Sequence, residues 1–313
     1  MNNKVNKTTD KSLLLRSYLS PKYWPLWIGM GILRLVSNLP LSVINKLGTS
    51  LGMLIYHSIP SRKHAALINL KQAFPELPES ELTELCKKSF KSMGCSFLEM
   101  GVAWFKPEKL KKVCSIEGQQ YLDEAMDKNK GVILLAAHFT TLEVGGLLMG
   151  TYNKKYNAIY KRAHNPLFNA FIVRYRSRMG DDLIETKNVR AFIRGLKKGH
   201  ATWFAPDQDF HKQEIVFTPF LGGIASTLTA TAKMAKLTGA EVVPFYQYRL
   251  DGGKKFKIVV LPALKDFPTD DIEADSARVN KVIEEMVYQC PEQYLWSHKR
   301  FKTRPDGSKG FYK

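Results

Sequence analysis

Cysteine, acid and long apolar runs are all scarce in this 313-residue chain. Cys86, Cys95, Cys114 and Cys290 stand far apart with no Cys-x-x-Cys pair, which excludes a metal knuckle and a disulfide framework and makes reduced thiols in cytoplasm the expectation. His-Glu-x-x-His is absent, so no metal site is expected. There is no internal repeat, heptad array or low-complexity tract. A polar first ten residues, with no small-residue cleavage site after the apolar stretch that follows, argues against a cleavable signal peptide. Acid is short by a wide margin: 29 Asp and Glu face 47 Lys and Arg, a net charge of +18. Such a surplus calls for anionic partners, whether nucleic acid, a phospholipid surface, or phosphorylated or carboxylated substrates. The length suffices for one large domain or two modest ones with a sizeable core.

From Tyr23 to Pro60 the fixed charges are only Arg34 and Lys46. The run Trp24 to Leu33 is too short to span a bilayer alone. Admitting Arg34 carries it through Val36 and, past Asn38 and Pro40, to Ile44, close to the about 20 residues a spanning helix needs. Tyr23, Trp24 and Trp27 resemble an interfacial belt, and Lys4, Lys7, Lys11, Arg16 and Lys22 precede them. Residues 1–60 are therefore expected to form an N-terminal helical membrane anchor, spanning or lying in the interface, with the extreme N-terminus cytoplasmic; a helical pair of the globular core is the alternative.

Residues 61–313 are expected to form the catalytic domain. Helical spacing over Arg62 to Phe74 and Glu79 to Trp104 is separated by a Phe74-Pro-Glu-Leu-Pro78 turn. Thereafter strand-like and helix-like pieces alternate: Gly131 to Ala137, Leu142 to Tyr152, Tyr156 to Tyr160, Pro166 to Met179, Val189 to Lys198 and Ala201 to Ala205. A helix over Thr227 to Leu237, strands near Glu241 to Leu250 and Lys255 to Leu261, and a helix from Ile272 to Tyr288 complete the series. This order predicts an α/β fold, a mixed sheet flanked by helices.

The most informative segment is Gly131-Val-Ile-Leu-Leu-Ala-Ala-His138-Phe-Thr-Thr-Leu-Glu143. Six uncharged residues before His138 fit a strand covered on both faces, and strand carboxyl ends are where α/β sheets place their chemistry. On one ideal helix a spacing of five sets side chains roughly 140° apart, so His138 is expected on the turn and Glu143 in the first turn of the next helix. In that arrangement Glu143 fixes the imidazole tautomer while the other ring nitrogen takes a proton from a substrate hydroxyl. The alternative is a strand-capping His138 and a solvated Glu143.

Basic residues gather behind this pair. Tyr160-Lys161-Arg162-Ala163-His164-Asn165-Pro166 follows a strand, and Arg174, Arg176 and Arg178 follow on a helix. The guanidinium fork suits carboxylate and phosphate, although alternating arginines do not share one helical face. At Ala205-Pro206-Asp207-Gln208-Asp209, another strand end, the carboxylates are positioned to orient arginines or substrate hydroxyls. Arg162, Asn165, Arg174, Arg176, Arg178 and Asp207 are thus the substrate-binding candidates. Aromatic and basic residues interleave from Tyr294 to Pro305, a pattern compatible with nucleic acid, but no nucleic-acid module precedes it, so lipid is the expected partner.

Taken together, Pro21-Lys-Tyr-Trp24, Asn69-Leu70, Phe74-Pro-Glu76, Gly101-Val-Ala-Trp-Phe105, His138-Phe-Thr-Thr-Leu-Glu143, Asn165-Pro-Leu167, Ala205-Pro-Asp207 and Arg300-Phe-Lys-Thr-Arg-Pro305 resemble the late acyltransferases of lipid A biosynthesis, within the lysophospholipid acyltransferase superfamily. The likeness runs along nearly the whole chain and implies a glycerolipid acyltransferase-like fold. It departs from the family at Thr140-Thr141-Leu142, where many relatives carry Gly-Asn-Trp, a change that resembles the lauroyltransferase branch. It departs again at Lys161-Arg162, where the family has Arg then Pro. The resemblance implies transfer of a fatty acyl chain from acyl carrier protein to a 3-hydroxyacyl hydroxyl of Kdo2-lipid IVA, with His138 as general base and Glu143 as its orienter. It implies no cofactor beyond the acyl-carrier co-substrate, and a place at the inner membrane with the catalytic domain facing the cytoplasm. The surplus of positive charge suits an acceptor with two phosphates and two Kdo carboxylates, and an acidic carrier protein. A glycerolipid or lysophospholipid acyltransferase is the alternative of the same fold, and a non-enzymatic basic protein that binds membrane or nucleic acid is the alternative of another class.

Overall fold

The computed structural model describes residues 17–151, 156–211 and 213–313. The basic lead Lys4, Lys7, Lys11 and Arg16, and Tyr152, lie outside the described residues. Five helices come first: α1 (Trp24–Val36), α2 (Leu41–Ser58), α3 (Pro60–Ala73), α4 (Glu79–Phe105) and the short α5 (Pro107–Lys111). Then follow β1 (Cys114–Glu117), α6 (Gln119–Asp127), β2 (Val132–Leu135), α7 (Leu142–Met149), β3 (Tyr156–Tyr160), α8 (Pro166–Arg176), β4 (Asp182–Glu185), α9 (Val189–Lys197) and β5 (Ala201–Phe204). A hairpin of β6 (Ile215–Phe220) and β7 (Gly223–Leu228) leads to α10 (Ala230–Thr238), β8 (Glu241–Leu250), β9 (Lys255–Val260) and α11 (Ile272–Gln289).

Seven strands form one sheet in the order β1-β9-β8-β2-β5-β3-β4. The strands from β8 to β4 run parallel, while β9 is antiparallel to β8 and β1 parallel to β9. The sheet is therefore mixed, flanked by helices as the alternation of elements predicts. Strand β2 lies in the middle with all four residues buried. Its twofold period sends Val132 and Leu134 to one core, with Leu122, Leu147, Leu167 and Phe171, and Ile133 and Leu135 to the other, with Leu70, Phe192, Met234 and Ile283. Helix α4, about 40 Å long at 27 residues, serves both cores, through Phe90 on one side and Trp104 on the other.

The N-terminal expectation is corrected in its spanning form. No helix among the described residues is long and apolar enough to cross a membrane. The apolar stretch breaks between Val36 and Leu41, where Pro40 precedes the next helix. Part of its apolar content is also used inside the protein: Met30 and Leu33 of α1, and Ile44 and Tyr56 of α2, are buried. The opposite faces are exposed, with Trp24, Ile28, Ile32 and Leu35 along α1 and Val43, Leu47 and Leu54 along α2. These recur at three, four and seven residues, the spacing of an apolar stripe on each helix.

Helices α2 and α4 approach closely because glycines meet. A Cβ on Gly52 would lie 2.1 Å from the Phe90 carbonyl oxygen, and one on Gly94 would lie 2.2 Å from that of Gly48. Helix α10 begins at Ala230, later than the predicted Thr227, because Thr227 belongs to β7. There its hydroxyl accepts from Asn280 at 2.8 Å, a contact between distant parts of the sequence. Replacing Gly52 with Val drives methyl groups into backbone that cannot yield without parting the helices. We expect a loss of about 1–3 kcal/mol of stability or more, read as a lower midpoint in denaturant unfolding of the detergent-solubilised protein.

Candidate active site at the carboxyl ends of β2 and β5

Parallel pairing sets Leu135 of β2 opposite Phe204 of β5. The third residue beyond each is His138 and Asp207, and the two side chains meet. His138 Nδ1 lies 2.6 Å from Asp207 Oδ1, and the His138 amide donates to Oδ2 at 2.9 Å. Asp207 is buried, whereas the His138 side chain keeps 27% of its surface open. Its Nε2 makes no hydrogen bond among the described residues.

The pair is electrostatically strong. Burial alone would raise the Asp207 carboxyl, but the adjacent imidazolium, the His138 amide and the Tyr294 hydroxyl bring it down to about 2. Burial likewise disfavours charge on His138, yet the Asp207 carboxylate overrides it and leaves the imidazole above its ordinary 6.5. Nearby, burial pushes His298 down to about 4, so this ring is neutral and its Nε2 accepts the Asp209 amide at 2.9 Å.

The expectation that Glu143 holds the imidazole is corrected. Glu143 sits in the first turn of α7 as predicted, but its Oε2 accepts from Trp104 Nε1 at 3.0 Å and its Oε1 from Arg176 Nε at 2.9 Å, with a second, shorter contact from the same guanidinium. A residue in the first turn of α7 is carried away from the β5 side, where Asp207 occupies Nδ1. Glu143 instead fixes the Arg176 guanidinium, whose charge opposes protonation of His138. Trp104 in turn stacks on Tyr175, ring centroids 5.1 Å apart at 8°.

The remaining candidates divide. Asp207 holds the imidazole, whereas a role with arginines or substrate was expected of it. Asn165 caps α8, accepting the Leu167 and Phe168 amides at 3.0 and 3.1 Å. Arg162 is exposed on the loop after β3. Arg174 and Arg178 line a cavity beyond Trp104 together with Arg34 and Lys106.

A buried scaffold that carries no linear signature holds the His138 loop. The Thr140 and Ser92 hydroxyls lie 2.6 Å apart, and Arg249 donates to Ser92 at 2.7 Å and bidentately to Glu99 at 2.6 and 2.7 Å. Gln293 exchanges two hydrogen bonds with the Arg249 backbone, while its own carbonyl accepts the Thr140 amide at 2.8 Å. The Leu295 amide donates to the His138 carbonyl at 3.1 Å, and Thr141 donates to the Gln247 carbonyl at 2.7 Å. The terminal aromatic and basic segment is thus partly interior. Arg300 is buried and donates to the Ser226 carbonyl at 2.6 Å.

An imidazole backed by a buried carboxylate and open at its other nitrogen, at the carboxyl edge of an α/β sheet, is an arrangement able to take a proton from a hydroxyl. The family model described as bacterial lipid A biosynthesis acyltransferase matches residues 14–303, and the chain belongs to that family. It is 36% identical over 291 residues to the lipid A biosynthesis lauroyltransferase of Escherichia coli strain K12, covering 92% of this chain and 95% of the relative. To the palmitoleoyltransferase of the same organism it is 35% identical over 300 residues (95% and 97%), and to its myristoyltransferase 27% identical over 300 residues (95% and 93%).

Asp207→Asn removes the charge that raises His138. We expect the acid limb of the pH profile of kcat/KM, above pH 6.5 in the wild type, to move to lower pH in the variant as total activity falls. The sign for stability follows by linkage. The raised imidazole contributes fully below 6.5 and loses its contribution as pH rises through the folded value, while the lowered carboxylate contributes above 3.8 and loses its contribution as pH falls toward about 2. The stability gap between wild type and Asp207→Asn is therefore widest between pH 3.8 and 6.5, which denaturant titrations across that range measure.

Proposed function

We propose that the chain transfers a lauroyl group from acyl carrier protein to the hydroxyl of a 3-hydroxyacyl chain on Kdo2-lipid IVA. The observation that carries the chemistry is the His138–Asp207 pair with its open Nε2. In the proposed step Nε2 removes the proton from the acceptor hydroxyl. The oxygen forms a bond to the thioester carbonyl carbon, and the carbonyl electrons move to an oxyanion. Collapse restores the carbonyl, breaks the carbon–sulfur bond and releases the thiolate, which takes the proton from the imidazolium. Asp207 stabilises that imidazolium between the two transfers. In this reading Arg176, anchored by Glu143, which Trp104 holds in turn, stabilises the oxyanion; because the carboxylate fixes it beforehand, it need not reorganise as charge develops. The transfer balances without a cofactor.

The lauroyl donor is supported by the Thr140-Thr141-Leu142 departure and by the 36% identity to a lauroyltransferase. A palmitoleoyltransferase at 35% supplies the second donor to test. The apolar stripes on α1 and α2 support seating in the cytoplasmic leaflet of the inner membrane without a span. Replacing Ile32 and Leu35 together with Asp is expected to release the protein from anionic phospholipid vesicles in a flotation assay, whereas unchanged binding would sink this mode of attachment.

The reaction is tested with detergent-solubilised protein, Kdo2-lipid IVA, and carrier protein loaded with twelve-, fourteen- or sixteen-carbon chains, following products by mass spectrometry. We expect acylation by wild type, preference for twelve carbons at about 1–3 kcal/mol per methylene, and a drop of about 10²–10⁴-fold in His138→Ala. Glu143→Ala should also lose transfer while remaining folded, through release of Arg176. Acylation of lysophosphatidic acid in place of the glycolipid would overturn the acceptor assignment.

A further inference from the structure

Beyond Trp104 lies a cavity of about 410 Å³ that the acyl-transfer chemistry does not use. It sits where the end of α1, the end of α4 and the last turn of α8 converge. Its charged lining consists of Arg34, Lys106, Arg174 and Arg178, with Asn38 beside them and no carboxylate. None of the four cations forms an ion pair among the described residues. The Arg174 Nε is buried with no hydrogen-bond partner. Cations at helix carboxyl ends are ordinarily explained by the helix dipole, but that duty at α1 is already filled. Lys109 donates to the carbonyls of Ser37, Asn38 and Leu39 at 2.9, 2.7 and 3.1 Å, leaving Arg34 free of it. Four positive charges gathered without a counter-charge repel one another, and a bound anion would relieve that repulsion.

We propose that this cavity seats a phosphate monoester on an anionic lipid headgroup. The assignment rests on the acyltransferase reading above and names the part of the acceptor that the enzyme grips. Phosphate fits the donor set, because guanidinium forks bind its oxygens in pairs and an ammonium adds a point charge. A lipid source follows from the cavity's rim: Arg34 belongs to the same helix as the exposed Ile32 and Leu35, so a headgroup held there keeps its acyl chains beside the apolar stripe. The volume is within the range that holds a small ligand rather than a lone ion. Trp104 also donates to Glu143, so the headgroup seat and the reacting centre share one indole as a wall.

The test uses the full chain in detergent with Arg34→Gln, Arg178→Gln and the double variant. Each lost charge-assisted contact is expected to raise KM for the bisphosphorylated acceptor about 10–100-fold, leaving kcat and the KM for the acyl carrier donor little changed. With acceptors lacking one or the other phosphate, the gap between wild type and variant should close for one of them. Arg34→Lys, which keeps the charge, should recover much of the loss. Equal KM values for variant and wild type, or a penalty that persists on both dephosphorylated acceptors, would overturn the proposal. A rise confined to the donor KM would assign the cavity to the phosphodiester of the carrier's prosthetic arm and overturn the headgroup assignment. Calorimetric titration with an acyl-free glucosamine disaccharide bisphosphate, bound by wild type and not by the double variant, reads the cavity without turnover. A wild type that binds this probe yet acylates no glycolipid would separate failure of the acyl-transfer reading from failure of the cavity assignment.

Discussion

The hydrogen-bonded register of two neighbouring parallel strands is the constraint on which the rest of the site depends. With Leu135 opposite Phe204, His138 and Asp207 emerge level with each other at the carboxyl edge of the sheet, close enough for a 2.6 Å contact. A slip of one residue would turn every β2 side chain to the opposite core, which both cores forbid because Val132 and Leu134 fill one and Ile133 and Leu135 the other. The packing of the interior thereby sets the alignment of a carboxylate with an imidazole.

A second layer of polar contacts makes that alignment hold at the loop. Arg249 and Glu99, both buried, form an ion pair whose desolvation is offset by two parallel hydrogen bonds and by Ser92 and Gln293 around it. The network reaches the Thr140 hydroxyl and backbone. Residues from α4, β8 and the C-terminal segment thus converge on Thr140 and Thr141, where a shift of an ångström would misplace the imidazole.

Much of this was legible in the sequence, and the rest was hidden for identifiable reasons. The apolar run before His138, the alternation of elements and the helices Arg62 to Phe74 and Glu79 to Trp104 follow from local periodicity and appear within a few residues of their expected bounds. Edge strands β1 and β4, four residues each and half open to solvent, carry too little pattern to stand out. Glu143 was legible in the first turn of the helix after His138, but the residue that holds His138 was not. Spacing says which residues lie near along the chain, and the hydrogen bond to His138 comes from a residue 69 positions away. One signal was available: Ala-Ala-His138 and Ala-Pro-Asp207 each end a strand-like run, and parallel neighbours in register would bring their last residues together. The scaffold of Ser92, Glu99, Arg249 and Gln293 had no such signal, since nothing local marks a polar residue that is buried only by its tertiary partners.

The manner in which Asp207 arrives has an evolutionary consequence. The carboxylate that holds His138 is supplied through strand pairing, so its placement does not depend on the residues enclosed between His138 and Glu143. Those residues answer to other demands: in this chain Thr140 meets Ser92 and Thr141 meets the Gln247 carbonyl. Their identities can change as their neighbours change, with His138 and Asp207 undisturbed. The His138–Asp207 pair is in this sense independent of the short sequence segment that draws attention to it.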